Sequence, residues 1–264
     1  MMGTALGFHT VVHMSMDARA WKVALLRRIG AEVVQHEGDY SLAVAQGRRE
    51  AEADPKSLFI DDENSVDLFM GYAAAVMPLS EQIKALGITV DREHPLVVYL
   101  PCGVGGSPGG ITLGLKQVYG DAVYPVFVEP VAAPCMTLGL MTGLHDQIES
   151  ADIGLSGLTA ADGLAVSRAS AFVGRAVGHM VAGCATVEDD DLFRMTKRLL
   201  DSDGHFIEPS AAASLCGSLA VCLDKSAPFD VQKATHLCWA TGGSMVPEGE
   251  KAVYLEKGAQ LLGK

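Results

Sequence analysis

The residues with the clearest chemical promise run from Leu96 to Gly110 (LVVYLPCGVGGSPGG). An apolar run suited to a buried parallel strand stops at Pro101. A loop with five glycines among residues 103–110 follows, and a helix pattern then begins. Such a loop lets several backbone N–H groups converge on one anion, most often a phosphate. A tight turn that binds nothing is the bland alternative. The backbone entropy that five glycines cost weighs against it.

Three chemistries compete for the loop. Gly105-Gly-Ser-Pro-Gly109 matches the nucleophile elbow G-x-S-x-G of an α/β-hydrolase, with Ser107 as nucleophile. That site needs the N–H of the residue after the nucleophile, and here it is Pro108, which has none. Losing such a donor costs about 10²–10³ in rate. A dinucleotide fingerprint G-x-G-x-x-G fits Gly103 and Gly105 but meets Pro108 where the third glycine belongs. Glu129, ending the next strand, would be its ribose-binding acid. The Walker pattern fails because no G-K-[ST] follows. The third chemistry is a cup for a small phosphate monoester, with Gly103, Val104, Gly105 and Gly106 as successive donors, Ser107 as N-cap and Pro108 as first helical residue.

The elements that must position this loop alternate in kind. Strands are expected at 8–14, 31–36, 58–61 (as a strand end), 96–100 and 123–128. Helices are expected from an Asp17 N-cap to Arg28 with Gly30 behind it, at 40–53, at 65–86 and at 108–119. Gly87 to His94 reads as a surface loop, and helices dominate from 150 to Ser210. The alternation predicts an α/β fold: an open, mainly parallel sheet with helices on both faces. In such folds ligands bind outside the carboxyl ends of the strands, where both the glycine loop and Glu129-Pro130 fall.

The chain has 264 residues, 49% of them apolar, and a formal net charge of −12 from 20 basic and 32 acidic residues. The acidic balance, without a basic patch or tail, speaks against nucleic-acid and anionic-membrane partners. No apolar run reaches the roughly 18 residues of a membrane span. Six scattered cysteines without a CxxC read as buried, reduced thiols of a cytoplasmic protein. The eight histidines form no metal-binding spacing. His13 and His36 read as surface or rim residues. The first eight residues carry neither a signal-peptide pattern nor a helix cap, so the chain reads as starting in mid-fold.

Six stretches together resemble one family. They are DDEN at 61–64, YLPCGVGG at 99–106, GLHDQ at 143–147, LTAADGLAV at 158–166, IEPSA at 207–211 and WATGG at 239–243 followed by MVP at 245–247. The resemblance is to pyridoxal-phosphate enzymes of fold type II, the tryptophan synthase β group, and within it to the D-serine dehydratases. It covers essentially the whole chain.

The resemblance implies pyridoxal 5′-phosphate as cofactor, a small amino acid as substrate, and β-elimination of D-serine to pyruvate and ammonia. It places the phosphate on Gly103, Val104, Gly105 and Gly106 and the partner of the pyridine nitrogen at Thr241. It lines the cavity with Asp162 and Gly163. A hydroxyl at Thr241, unlike a carboxylate, does not force the ring to stay protonated. Without the resemblance, Thr241 reads equally as the residue before a Gly-Gly turn. The EPVAAPC stretch resembles the family's monovalent-cation turn, implying Glu129, the Ala133 carbonyl and Cys135 as ligands. A hard cation would take the Cys135 carbonyl rather than its sulfur. A strand end with a capping acid and a buried thiol explains the same stretch equally well.

The departure is at the front. The family's Schiff-base lysine and asparagine loop lie upstream of the glycine loop, and none of the ten lysines here sits in the desolvated or cationic setting that activates one. Lys116, two turns into the helix, would point away from the cofactor. Residues 1–60 then correspond to the remnant of a small α/β domain and 61–264 to the C-terminal part of the large domain. The catalytic base would come from a missing N-terminal part, on a longer chain or as a separate one. A non-catalytic remnant or a sensor that binds a phosphorylated ligand is the alternative.

Overall fold

The computed structural model describes residues 1–16, 18–37 and 40–263, and these divide into two compact units at Asp61 and Asp62. In the first unit a short helix α1 (Met2–Ala5) precedes β1 (Val11–Ser15), α2 (Ala20–Arg28), β2 (Glu32–His36) and α3 (Tyr40–Glu52). The two strands pair in parallel, Val11 opposite Glu32 and Ser15 opposite His36. The expected Asp17 cap lies outside the described residues, and Arg19 precedes the first turn of α2. Gly30 ends that helix with φ +88°, as its position predicted.

Two expectations fail in this unit. His13 is no rim residue: its side chain is 11% exposed and its Nδ1 lies 2.9 Å from Nε2 of His36. Residues 58–61 form no strand. Asp61 is instead held by Arg48, Nη2 to Oδ2 2.9 Å, and the Arg48 guanidinium lies over the Phe59 ring.

The second unit opens with α4 (Val66–Ala74) and α5 (Val76–Ala85) where one helix was expected. Pro78 breaks it: proline has no N–H for the Ala74 carbonyl and its ring crowds that oxygen. Ser65 caps α4 through the Leu68 N–H. The chain continues through β3 (Leu96–Pro101), α6 (Gly106–Tyr119), β4 (Val123–Pro130), α7 (Cys135–Thr142), α8 (Ala171–Val177), β5 (Gly183–Val187), α9 (Asp189–Asp203), α10 (Pro209–Leu223), β6 (Thr235–Cys238) and α11 (Glu248–Leu262). The strands β5 and β6 were not foreseen. Much of 154–170, expected helical, is irregular.

The four strands form one parallel sheet in the order β5-β4-β3-β6. The whole of β3 is buried, as the apolar run predicted for a strand covered on both faces. Leu96, Val98 and Leu100 pack with Phe69, Val76, Ile111, Leu115 and Val173 of the α4–α6 and α8 layer. Val97 and Tyr99 pack with Leu192, Ala213 and Cys216 of α9 and α10 on the other face. From β3 the chain moves outward through β4 and β5, then returns past them to lay β6 on the opposite side of β3. The carboxyl ends of β3 and β6 therefore flank the crevice at which the winding reverses, the place where open α/β sheets take ligands. No helix among the described residues is long and apolar enough to cross a membrane.

Candidate active site

The glycine loop leaves the carboxyl end of β3 at this crevice. Cys102 still pairs with the sheet, its N–H donating to the Val128 carbonyl at 2.8 Å. Three residues on, Gly105 takes φ +113°, a conformation that L side chains rarely adopt, and the chain enters α6. The helix thus begins at Gly106 with Gly105 as its cap, two residues before the expected start. Ser107 caps nothing, and Pro108 is the third helical residue rather than the first. It is tolerated there because amides of the first turn have no intrahelical acceptor.

Among the described residues, none of the N–H groups from Gly103 to Ser107 finds a protein acceptor. Val104, Gly105 and Gly106 are nevertheless buried. Buried N–H groups without acceptors are costly, so this row favours an acceptor drawn to it. The positive end of the 14-residue α6 adds its field to the same point. The bonding pattern gives the elbow reading no support: Ser107 sits inside the helix, and no described base is hydrogen-bonded to it.

Glu129 is completely buried at the end of β4. It accepts from the N–H groups of Met136 and Thr137 at 2.7 and 2.8 Å and from the Thr137 hydroxyl at 2.5 Å. These bonds cap α7, whose preceding residue Pro134 provides no side-chain cap. Burial lifts the Glu129 pKa to about 7 against the lowering pull of these donors. A carboxylate so engaged is not a ribose-binding acid in an open crevice, which removes the dinucleotide reading. Cys135 lies beside Glu129, and its Sγ donates to the Gly103 carbonyl at 3.4 Å. Ala133 is buried in the same turn, its N–H on the Pro130 carbonyl at 3.0 Å. The turn of the expected cation ligands thus lies against the glycine loop. Burial pushes the thiols of Cys102 and Cys135 well up, so both stay protonated. No cluster of three or more His, Cys, Asp or Glu among the described residues is arranged to hold a metal ion. All six cysteines are free, though Cys222 is exposed rather than buried.

The Asp162-Gly163 turn packs on the loop from another side. A Cβ on Gly103 would stand 3.2 Å from the Gly163 carbonyl oxygen. The Gly163 N–H donates to Ser210 Oγ at 3.1 Å, and Asp189 holds the Ala160 N–H at 2.7 Å together with the Thr159 hydroxyl. Thr241 is exposed three residues beyond β6. Its strand is tied to β3 up to the Trp239 N–H, which donates to the Tyr99 carbonyl at 3.0 Å. The carbonyl of the next residue, Gly242, accepts from the Glu208 N–H at 3.2 Å. Lys116 reaches back to the Val123 carbonyl at 2.7 Å, away from the loop. Lys197, Lys251 and Lys257 pair with Asp201, Glu248 and Asp190 on helices. The sequence did not single out Ser170, Ser210, Asp189 or Thr137, the side chains that hold this site together. Their only local signal is position at a helix start.

A family model described as pyridoxal-phosphate dependent enzyme matches residues 1–229. Proteins named probable D-serine dehydratase from Bacillus mycoides and Bacillus thuringiensis subsp. konkukian are each 52% identical to the chain, over 270 and 266 residues. These matches cover 100% and 98% of this chain but 61% and 60% of those proteins, so the chain spans three fifths of the relatives' length. The solved structure of the processed form of threonine deaminase isoform 2 from Solanum lycopersicum has a TM-score of 0.75 at 20% identity, covering 99% of this chain and 69% of that one. A fungal L-serine ammonia-lyase from Rhizomucor miehei gives 0.75 at 16%, covering 96% and 76%. The fold they share with this chain is fold type II. The cofactor this family carries ends in a phosphate monoester, and the row of open amides at Gly103 to Ser107 fits that group. The chain belongs to the family of pyridoxal-phosphate dependent enzymes.

Proposed function

We propose that this chain holds the phosphate end of the cofactor site of a pyridoxal-phosphate enzyme that eliminates water from D-serine, the imine product hydrolysing to pyruvate and ammonia. The observation that carries the reading is the row of N–H groups from Gly103 to Ser107 without acceptors among the described residues. The D-serine preference is supported by the names of the Bacillus relatives. When bound, the cofactor supplies an electron sink for the substrate's α-carbon.

The chain's own residues bind and orient. The amides of Gly103, Val104, Gly105 and Gly106 would donate to the phosphate, and the Asp162-Gly163 turn would wall the cavity. The Thr241 hydroxyl, three residues beyond the neighbouring strand, would serve the pyridine nitrogen without the fixed charge of a carboxylate. That favours elimination over transamination. The Glu129 turn supports the loop from beneath, and a monovalent cation there would take Glu129 and the carbonyl oxygens of Ala133 and Cys135. Residues 1–60 act as part of the small domain and 61–264 as part of the large one. The lysine that carries the cofactor and serves as base lies outside these 264 residues.

The test is a titration of the chain with pyridoxal phosphate and with pyridoxal, followed by borohydride reduction and mass spectrometry. Binding that needs the phosphate, without a covalent adduct, is expected. Pyruvate should form from D-serine only when the part of a Bacillus relative outside the match is supplied as a second chain. A pyridoxyl-lysine within this chain would overturn the claim that the base comes from elsewhere. Equal binding of pyridoxal would overturn the phosphate cup. Phosphate-dependent binding with no activity in any combination would favour a non-catalytic ligand-binding protein.

A further inference from the structure

Ser170, one of the side chains that hold the site together, is 4% exposed, and its N–H and Oγ make three polar contacts at the edge of the glycine loop. Its N–H donates to the Val104 carbonyl at 2.8 Å. Its Oγ donates to the Glu63 carbonyl at 2.5 Å and accepts from the Val173 N–H at 3.1 Å, capping α8. The first contact aims a donor. A trans peptide is planar, with its C=O and N–H pointing opposite ways. Fixing the Val104 carbonyl outward therefore turns the Gly105 N–H into the cup. The second contact reaches a strap, residues 62–64, by which the chain enters the second unit before α4. The strap also crosses the first residue of α6, where a Cβ on Gly106 would stand 2.6 Å from the Asp62 carbonyl oxygen.

We propose that Ser170 is a positioning residue that locks the phosphate cup to the 62–64 strap, so that a phosphate group in the cup immobilises the strap as well. The ligand half of this inference rests on reading the cup as a phosphate site. The cup and strap share one side chain, so freedom in either becomes freedom in both. A phosphate that fixes the Gly105 peptide also fixes its carbonyl partner Ser170, and through Oγ the Glu63 peptide.

The test is amide hydrogen exchange on the 264-residue chain. Ser170→Gly removes both Oγ bonds while glycine remains an acceptable N-cap. Ser170→Thr keeps donor and acceptor. Ser65→Ala removes the cap of α4 just beyond the strap without touching the cup. In the ligand-free chain, Ser170→Gly should speed exchange about tenfold at 103–106 and at 62–64 together, about 1.4 kcal/mol for the lost bonds. Ser170→Thr should restore both segments, and Ser65→Ala should leave 103–106 as in the parent. Pyridoxal phosphate should slow both segments in the parent but only the cup in Ser170→Gly.

Unchanged strap exchange in Ser170→Gly, or equal loosening of the cup by Ser65→Ala, would overturn the proposal. So would a ligand that slows the cup and leaves the parent's strap unaffected. If neither pyridoxal phosphate nor inorganic phosphate slows the cup, the phosphate reading fails and takes the ligand half with it. The ligand-free comparison still decides the Ser170 link.

Discussion

Replacing Glu129 with glutamine should change how stability depends on pH, and by a calculable amount. In an unfolded chain the carboxyl titrates near 4.5, and in the folded chain burial lifts it to about 7. Between those values the folded protein keeps a proton that the unfolded chain has released. The stabilisation is therefore fully present below pH 4.5 and is lost as pH rises through about 7. A displacement from 4.5 to about 7, at 1.36 kcal/mol per pH unit, corresponds to about 3 kcal/mol. Glu129→Gln cannot titrate. Its amide NH₂ must face one of the α7 donors, a pH-independent loss of about 1–3 kcal/mol. The assay is urea unfolding of both proteins from pH 4 to 9 in tetramethylammonium buffer, followed through Trp239 in a Trp21→Phe background. The stability of the parent minus that of the variant should fall by about 3 kcal/mol across this range, while contributions from other groups cancel. A flat difference, or one that rises with pH, would refute the account of Glu129 as a buried, desolvated cap. Repeating the series in potassium chloride tests the cation turn: a bound cation favours the carboxylate and flattens the slope, and an unchanged slope excludes it.

Three further substitutions probe other joints. Gly110→Ala would place a Cβ 2.3 Å from the Phe69 carbonyl oxygen, and backbone cannot yield without parting α4 from α6. A loss of about 1–3 kcal/mol in the urea midpoint is expected. Tyr99→Phe removes the 2.7 Å bond to His236 Nδ1 beneath the sheet. It should cost about 0.5–1.5 kcal/mol in urea unfolding and leave pyridoxal phosphate affinity unchanged in a fluorescence titration. Arg48→Ala removes a charged partner of Asp61, whose side chain is 5% exposed. It should destabilise the first unit by about 1.5–3 kcal/mol, read from the Trp21 signal on thermal unfolding.

The parts of the fold legible in the sequence are those whose signal is local. The β3 run is apolar throughout because helices cover both faces, and the glycines after it announce the loop. Strands β5 (GCATV) and β6 (THLC) carry no such mark. They are short and polar or small, and they become strands only because β4 and β3 offer them parallel edges. Residues 58–61 (LFID) are more apolar than either, yet they have no such edge and form no strand. At the crevice, the glycine loop was readable and its supports were not. Ser210 finds Gly163 across 47 residues and Ser170 finds Glu63 across 107, so nothing in either neighbourhood predicts the bond. The one local error there, placing the cap at Ser107 and the helix start at Pro108, came from treating the cap as a side-chain matter. Gly105 caps by conformation, at φ +113°, and leaves its amide and its neighbours' free.

That freedom explains why one proline excludes one chemistry and not the other. A nucleophile elbow needs a donor immediately after its serine, and Pro108 lacks it. A phosphate cup draws on the amides before the proline, from Gly103 to Ser107, and asks nothing of position 108. In the first turn of α6 the missing N–H would have had no helical acceptor, so Pro108 also costs the fold little. The covered faces of β3 fix where the loop emerges, and the pairing of β6 with β3 puts Thr241 three residues beyond the end of the neighbouring strand. The glycine loop proposed as the phosphate cup is thus held by contacts within residues 62–263. It should bind a phosphate ligand on its own, whatever supplies the covalent end.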